Sequence, residues 1–216
     1  MDKRRTAGIA VNLLLFVITA ACVLSFFLTA APEGAILNNR GMRAFRFYTT
    51  DSNILCAAGG LLTAVCMLRK KNGALPRWVT LVKFAGTAAV TVTLLVVFFF
   101  LSLIVGGILP LLRGANLYLH LVVPLLALLS LFFLDPQPEP PLRFSESLSC
   151  ALTVIVYGTV YFIQVVVRKA WPDFYAFNRG GLWPVTAAVM LAFSVLLGLA
   201  LRYVMRKCGI RGKKPN

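Results

Sequence analysis

Two places in the chain hold side chains with reactive potential. One is His120, the only histidine among 216 residues, and the other is the polar cluster Thr49, Thr50, Asp51, Ser52 and Asn53 within FRFYTTDSNILC, residues 45–56. A hydroxyl beside an imidazole in a site shielded from water is the minimum for nucleophilic acyl transfer. The imidazole takes the hydroxyl proton, the oxygen attacks a carbonyl, and water later releases the acyl group. Threonine is a crowded nucleophile, and no acidic residue is evident as an orienter for His120. Tyr157, Tyr161 and Gln164 add further hydroxyl and amide groups.

The elements that must position these groups follow from composition. The chain is 59% hydrophobic and 13% charged, against roughly 45–50% and about 25% in soluble domains. Six stretches, 6–32, 52–68, 84–112, 114–134, 147–167 and 180–201, carry no charge, and a spanning helix needs about 20 apolar residues. The expected structure is an all-α membrane protein, a single six-transmembrane-helix bundle over 1–216. Its spans are expected near 7–30, 49–68, 84–107, 116–134, 147–167 and 182–201, with a flexible basic tail over 203–216. The first apolar run exceeds a signal-peptide core of about 7–15 residues, so it is expected to stay as a helix although residues 29–31 resemble a cleavage site.

The net charge of +15 is explained by the positive-inside rule better than by nucleic acid. With six spans, one face holds both termini and the second and fourth loops, and 15 of the 22 Lys and Arg residues fall there. Both termini are therefore expected in the cytoplasm, with anionic lipid as the partner of the basic loops and no nucleic-acid partner. Arg40, Arg43 and Arg46 lie three apart on the opposite face. A short interfacial helix would align them towards lipid headgroups, or towards an anionic group of a substrate. The five cysteines have no metal-ligand spacing and read as small buried hydrophobes, so no metal and no cofactor is expected.

Helical periodicity sharpens the cluster. Thr49, Ser52, Asn53, Cys56, Gly60 and Thr63 share one face of the second span, whereas Thr50 and Asp51 project elsewhere. Such a stripe serves a site or serves close helix packing. His120 lies about one turn inside the fourth span and Pro124, four residues on, should disturb the helix there. An ionisable side chain in a span marks a functional site by default, and a neutral imidazole bonded to a neighbouring helix is its structural alternative. In the fifth span Thr153, Tyr157, Tyr161 and Gln164 share a face, as a polar cavity or as interfacial aromatics. The aromatic loop KAWPDFYAFNRGGLWP that follows could cover the bundle mouth. Topology places Thr49–Asn53, His120 and the Tyr161–Gln164 group at one depth, near the outer boundary.

The Y-T-x-x-S-N motif at 48–53, H-x-x-V-P at 120–124 and Y-G-x-x-Y at 157–161, set in six spans, resemble the prokaryotic six-transmembrane protein family. That family is similar to the animal androgen-induced proteins and the androgen-dependent TFPI-regulating protein, which hydrolyse fatty acid esters of hydroxy fatty acids with an intramembrane threonine and histidine. The resemblance covers nearly the whole chain. It implies Thr49 as nucleophile, with Thr50 as the alternative, and His120 as base. The substrate would be a lipid ester entering from the outer leaflet of the cytoplasmic membrane. Ser52, Asn53, Tyr157, Tyr161 or Gln164 would support the oxyanion or the pocket, and Arg43 or Arg46 would hold a substrate carboxylate. Two other readings stand beside it: a small transporter or channel component, and a non-catalytic membrane scaffold.

Overall fold

The computed structural model describes residues 3–28, 40–69 and 74–208. The described residues hold six helices long and apolar enough to cross a membrane: α1 (Lys3–Leu28), α2 (Tyr48–Arg69), α3 (Arg77–Val105), α4 (Ala115–Leu134), α5 (Phe144–Val167) and α6 (Trp183–Cys208). No strand occurs among the described residues. Each span of the sequence reading has its helix, and the differences lie at the ends. The expected flexible tail is helical as far as Cys208, which continues α6. Its remainder, the stretch after α1 and the basic Lys70 and Lys71 lie outside the described residues.

The packing of α2 between α1 and α3 follows from small residues. Within a bilayer, apolar side chains gain little by leaving lipid, so helices associate where their backbones can approach closely. A Cβ on Gly86 of α3 would stand 2.7 Å from Cys56 Cα of α2. Reciprocally, a Cβ on Gly59 would stand 2.9 Å from Lys83 Cα. The face with Ser52, Asn53, Cys56, Gly60 and Thr63 is buried, as its period requires, and Thr49 at its start is half-buried. Thr50 departs from the sequence reading: it is buried too, because α2 has neighbours on more than one side.

The largest departure is in α3. Its helix starts directly after Pro76, which suits a helix start because it has no N–H to donate. The helix therefore begins seven residues before the expected 84, and Lys83, counted among loop charges, falls inside the helix and is 1% exposed. Lys83 Nζ donates to Asn12 Oδ1 at 2.7 Å and stands 3.8 Å from Asp135 Oδ2. Asp135 Oδ1 accepts from Asn12 Nδ2 at 2.6 Å and from Ser130 Oγ at 2.8 Å. Asp135, assigned to a loop by the sequence reading, is 3% exposed. A buried charge pair thus ties α1, α3 and the end of α4.

Other basic residues at this end also bond rather than float. Arg4 donates to the Phe133 carbonyl and Arg5 to the Met67 carbonyl, at the ends of α4 and α2. Arg202 donates to the Leu142 carbonyl and Arg77 pairs with Glu146. Cationic side chains on carbonyls at helix C-termini also suit the helix dipole.

Helices α5 and α6 complete the bundle as a pair. Near one end a Cβ on Gly198 would collide with the Ser147 carbonyl oxygen, whereas a Cβ on Gly158, further along α5, would meet nothing within 4 Å. Between them lies a wedge-shaped opening, lined by both helices and by Thr49.

Candidate active site

Thr49 occupies the first turn of α2, at the positive end of a 22-residue helix. Its partner stands on α4. His120 lies in a π-helical turn, Tyr118–Val122, and Pro124 gives the reason for it. Proline has no N–H for the carbonyl four residues back, which is that of His120, and its ring crowds the same carbonyl. The ladder widens by one residue, as at many functional sites, and the imidazole is turned onto α2.

There His120 Nε2 lies 3.3 Å from Thr49 Oγ1. His120 Nδ1 lies 2.7 Å from the Leu111 carbonyl oxygen. A carbonyl can only accept, so Nδ1 carries the proton and Nε2 of the neutral ring is left as the acceptor for the Thr49 hydroxyl. The orienter that no acidic residue supplies is a backbone carbonyl, on the short 3-10 turn Leu109–Leu112 between α3 and α4. His120 is 7% exposed. Thr50, the other threonine, has no part in this contact.

Asn53 fixes the distance between the two helices. Its Nδ2 donates to the Thr49 carbonyl at 2.7 Å and to the Leu119 carbonyl at 3.1 Å, so one amide bridges the turn of Thr49 and the π-turn of His120. Ser52 Oγ donates to the Thr49 carbonyl at 3.1 Å and shares a hydrogen with Thr93 Oγ1 of α3 at 3.0 Å. Both residues thus hold the turn of Thr49, with their donors already committed.

The aromatic loop after α5 covers this mouth. Asp173 organises it, accepting from Tyr161 Oη at 2.8 Å and from the Phe177 and Asn178 amides at 2.9 and 2.8 Å. Tyr161, fully buried, stacks on Trp183 and also accepts from the Tyr175 amide at 3.2 Å. Tyr157 donates to the Arg46 carbonyl at 2.7 Å. Tyr48 Oη meets Thr153 Oγ1 at 2.9 Å. Tyr175, which the sequence reading passed over, is 5% exposed, and its phenol oxygen accepts the Tyr48 amide at 3.1 Å. Burial pushes the Tyr175 phenol above its ordinary range, so it keeps its proton.

The remaining candidates lie further out. Gln164 is half-buried, and its carbonyl holds the turn by accepting from the Ala170 and Trp171 amides. Arg43 and Arg46 lie on the 3-10 helix Gly41–Arg46, where residues three apart align. Arg43 is exposed, and the Arg46 guanidinium sits 5.7 Å above the Trp171 ring. Neither lines the cavity that contains Thr49.

That cavity, of about 370 Å³, lies between α3, α5 and α6. Thr49, Tyr48, Tyr157, Tyr161 and Tyr175 form its polar end, and Val92, Val96, Val154, Ile155, Ala187 and Leu191 are among its apolar walls. Ile155, Ala187 and Leu191 are exposed, so it opens sideways through the α5–α6 wedge rather than along the bundle axis. The arrangement can present a carbonyl to Thr49 while a long apolar group lies between two helices. Searches against family models, characterised proteins and solved structures found no match to this chain.

Proposed function

We propose that this chain is an intramembrane hydrolase of lipid esters, such as fatty acid esters of hydroxy fatty acids, belonging to the six-transmembrane family it resembles. In this reading both termini are cytoplasmic and the Thr49 end faces the outer leaflet of the cytoplasmic membrane. The observation that carries it is the relay from Thr49 Oγ1 to His120 Nε2 and from His120 Nδ1 to the Leu111 carbonyl.

The chemistry follows from that relay. His120 Nε2 takes the Thr49 proton as the oxygen bonds to the ester carbon. The tetrahedral intermediate collapses, and the leaving alcohol takes the proton back from His120. Water, deprotonated by the same nitrogen, then adds to the acyl-threonine and releases the fatty acid. The positive end of α2 favours the developing negative charge. Arg43 and Arg46, on the 3-10 helix before α2 and outside the cavity, would meet the free carboxylate of a hydroxy fatty acid only where it extends beyond the mouth.

The purified chain in nanodiscs is expected to split a branched fatty acid ester into fatty acid and hydroxy fatty acid, and Thr49→Ala to lose this turnover. Undiminished turnover by Thr49→Ala would contradict the reading. The wedge makes a separate prediction. Gly158 faces open space in the cavity wall, so Gly158→Leu should fill the groove and leave the fold intact. KM for long-chain esters should rise about tenfold or more, the scale of a misfit of one or more methylenes, while short-chain esters keep their kcat. Equal loss for both chain lengths would remove the acyl chain from this groove.

A further inference from the structure

Hydrolysis of an ester through a tetrahedral intermediate needs a donor at the developing oxyanion, and four side chains expected to serve there are bonded elsewhere. Ser52 gives its proton to the Thr49 carbonyl or to Thr93. Both Asn53 amide bonds end on backbone carbonyls. Tyr161 donates to Asp173, and Tyr157 to the Arg46 carbonyl. Each of these side chains, expected from the sequence to serve the oxyanion or the pocket, is therefore spent on structure.

Tyr175 is different. It lines the Thr49 cavity and is nearly fully buried, with the Tyr157 and Thr49 hydroxyls as its side-chain neighbours. Its oxygen accepts the amide of Tyr48, the first residue of α2. That bond draws electron density from the phenol and makes its O–H a stronger donor, as in any hydrogen-bond chain. The ring is fixed as well. The Tyr175 amide is bonded to Tyr161 Oη, Tyr161 to Asp173, and the ring lies 4.7 Å from Phe174 and 5.1 Å from Phe177. A donor held in place before the reaction costs no reorganisation when charge develops, which is the requirement for an oxyanion hole.

We infer that the Tyr175 hydroxyl is the oxyanion donor of the Thr49–His120 site, delivered by the loop between α5 and α6. The inference rests on the hydrolase reading above and adds a catalytic residue to it. It also gives the loop a function: the site is complete only while the loop lies over the mouth.

The test is Tyr175→Phe, which keeps the ring and removes the hydroxyl. Expected is a fall in kcat of about 10²–10³-fold, the effect of losing one oxyanion donor, with little change in KM. A long-chain trifluoromethyl ketone, which forms an oxyanion adduct with the nucleophile, should lose affinity by the same factor. The matching ether, which forms none, should bind the variant and the wild type alike. A Tyr175→Phe protein with wild-type kcat, or one losing ether and ketone binding equally, overturns the inference while the hydrolase reading stands. A wild-type chain that hydrolyses no ester overturns both. If Tyr175→Phe does not fold, 3-fluorotyrosine placed at 175 keeps the packing and the Tyr48 acceptor. Its more acidic phenol should raise ketone affinity but not ether affinity, and unchanged ketone affinity counts against the inference.

Discussion

His120→Ala is expected to lower ester hydrolysis by about 10²–10⁴-fold, the range for removing a general base, without loss of folded protein. The ring makes two hydrogen bonds, to Thr49 and to the Leu111 carbonyl, and the α2–α4 contact is held separately by Asn53. The bundle therefore has a reason to survive the change. Base and nucleophile act as one unit, so removing either removes the same step. Thr49→Ala and Thr49→Ala/His120→Ala should match His120→Ala within a few fold. A double variant whose loss is the product of the single losses would show two independent roles and contradict the relay. Hydrolysis rates of the three variants in nanodiscs, with thermal unfolding as the folding control, decide it.

The second large effect concerns stability at the opposite end. Lys83→Met should destabilise the protein by about 3–5 kcal/mol, the cost of breaking a buried pair by removing one partner. Asp135 would keep its bonds from Asn12 and Ser130 but lose the Lys83 ammonium beside it. Combining Lys83→Met with Asp135→Asn removes both charges and leaves an amide oxygen to accept the same two bonds. The double variant should recover most of the loss, because a buried pair costs nearly as much to desolvate as it returns. Gly59 packs on Lys83 and lies ten residues along α2 from Thr49, about 15 Å at 1.5 Å per residue. The folded fraction of each variant should therefore hydrolyse ester at the wild-type rate. Unfolding midpoints in one detergent give the comparison. A single variant as stable as the wild type would mean the charges are hydrated rather than paired.

These two results bear on what could be read from the sequence alone. The six spans were legible because uncharged runs of spanning length are a strong signal, and the inward face of α2 because its polar and small residues recur at helical spacing. Thr49 and His120 could be placed at one depth by counting crossings. The Lys83–Asp135 pair was hidden by the same procedure. Segmenting by charge makes every Lys and Asp a boundary, so two opposite charges that neutralise one another inside the bundle read as loops. The orienter of His120 was hidden for another reason: a carbonyl oxygen is present at every residue, and no side-chain pattern marks Leu111. Pro124 did announce a disturbed helix beside His120, although not that the turn would be π-helical. Tyr175 belongs to a loop without period, where one aromatic among many has no face to betray it. Ser52, Asn53, Tyr157 and Tyr161 were recognised as polar groups near the site. Only hydrogen-bond accounting reveals that their donors are committed elsewhere.

The claim at the centre is that the Thr49 hydroxyl is activated by His120. An alkyl fluorophosphonate, added to the purified protein and located by peptide mass spectrometry, tests it without knowledge of the natural ester. A phosphonyl adduct is expected on Thr49 of the wild type and none on His120→Ala, with Thr50 unmodified in both. An adduct on Thr49 that forms equally in His120→Ala, or no adduct on Thr49 in a folded wild-type protein, would contradict it.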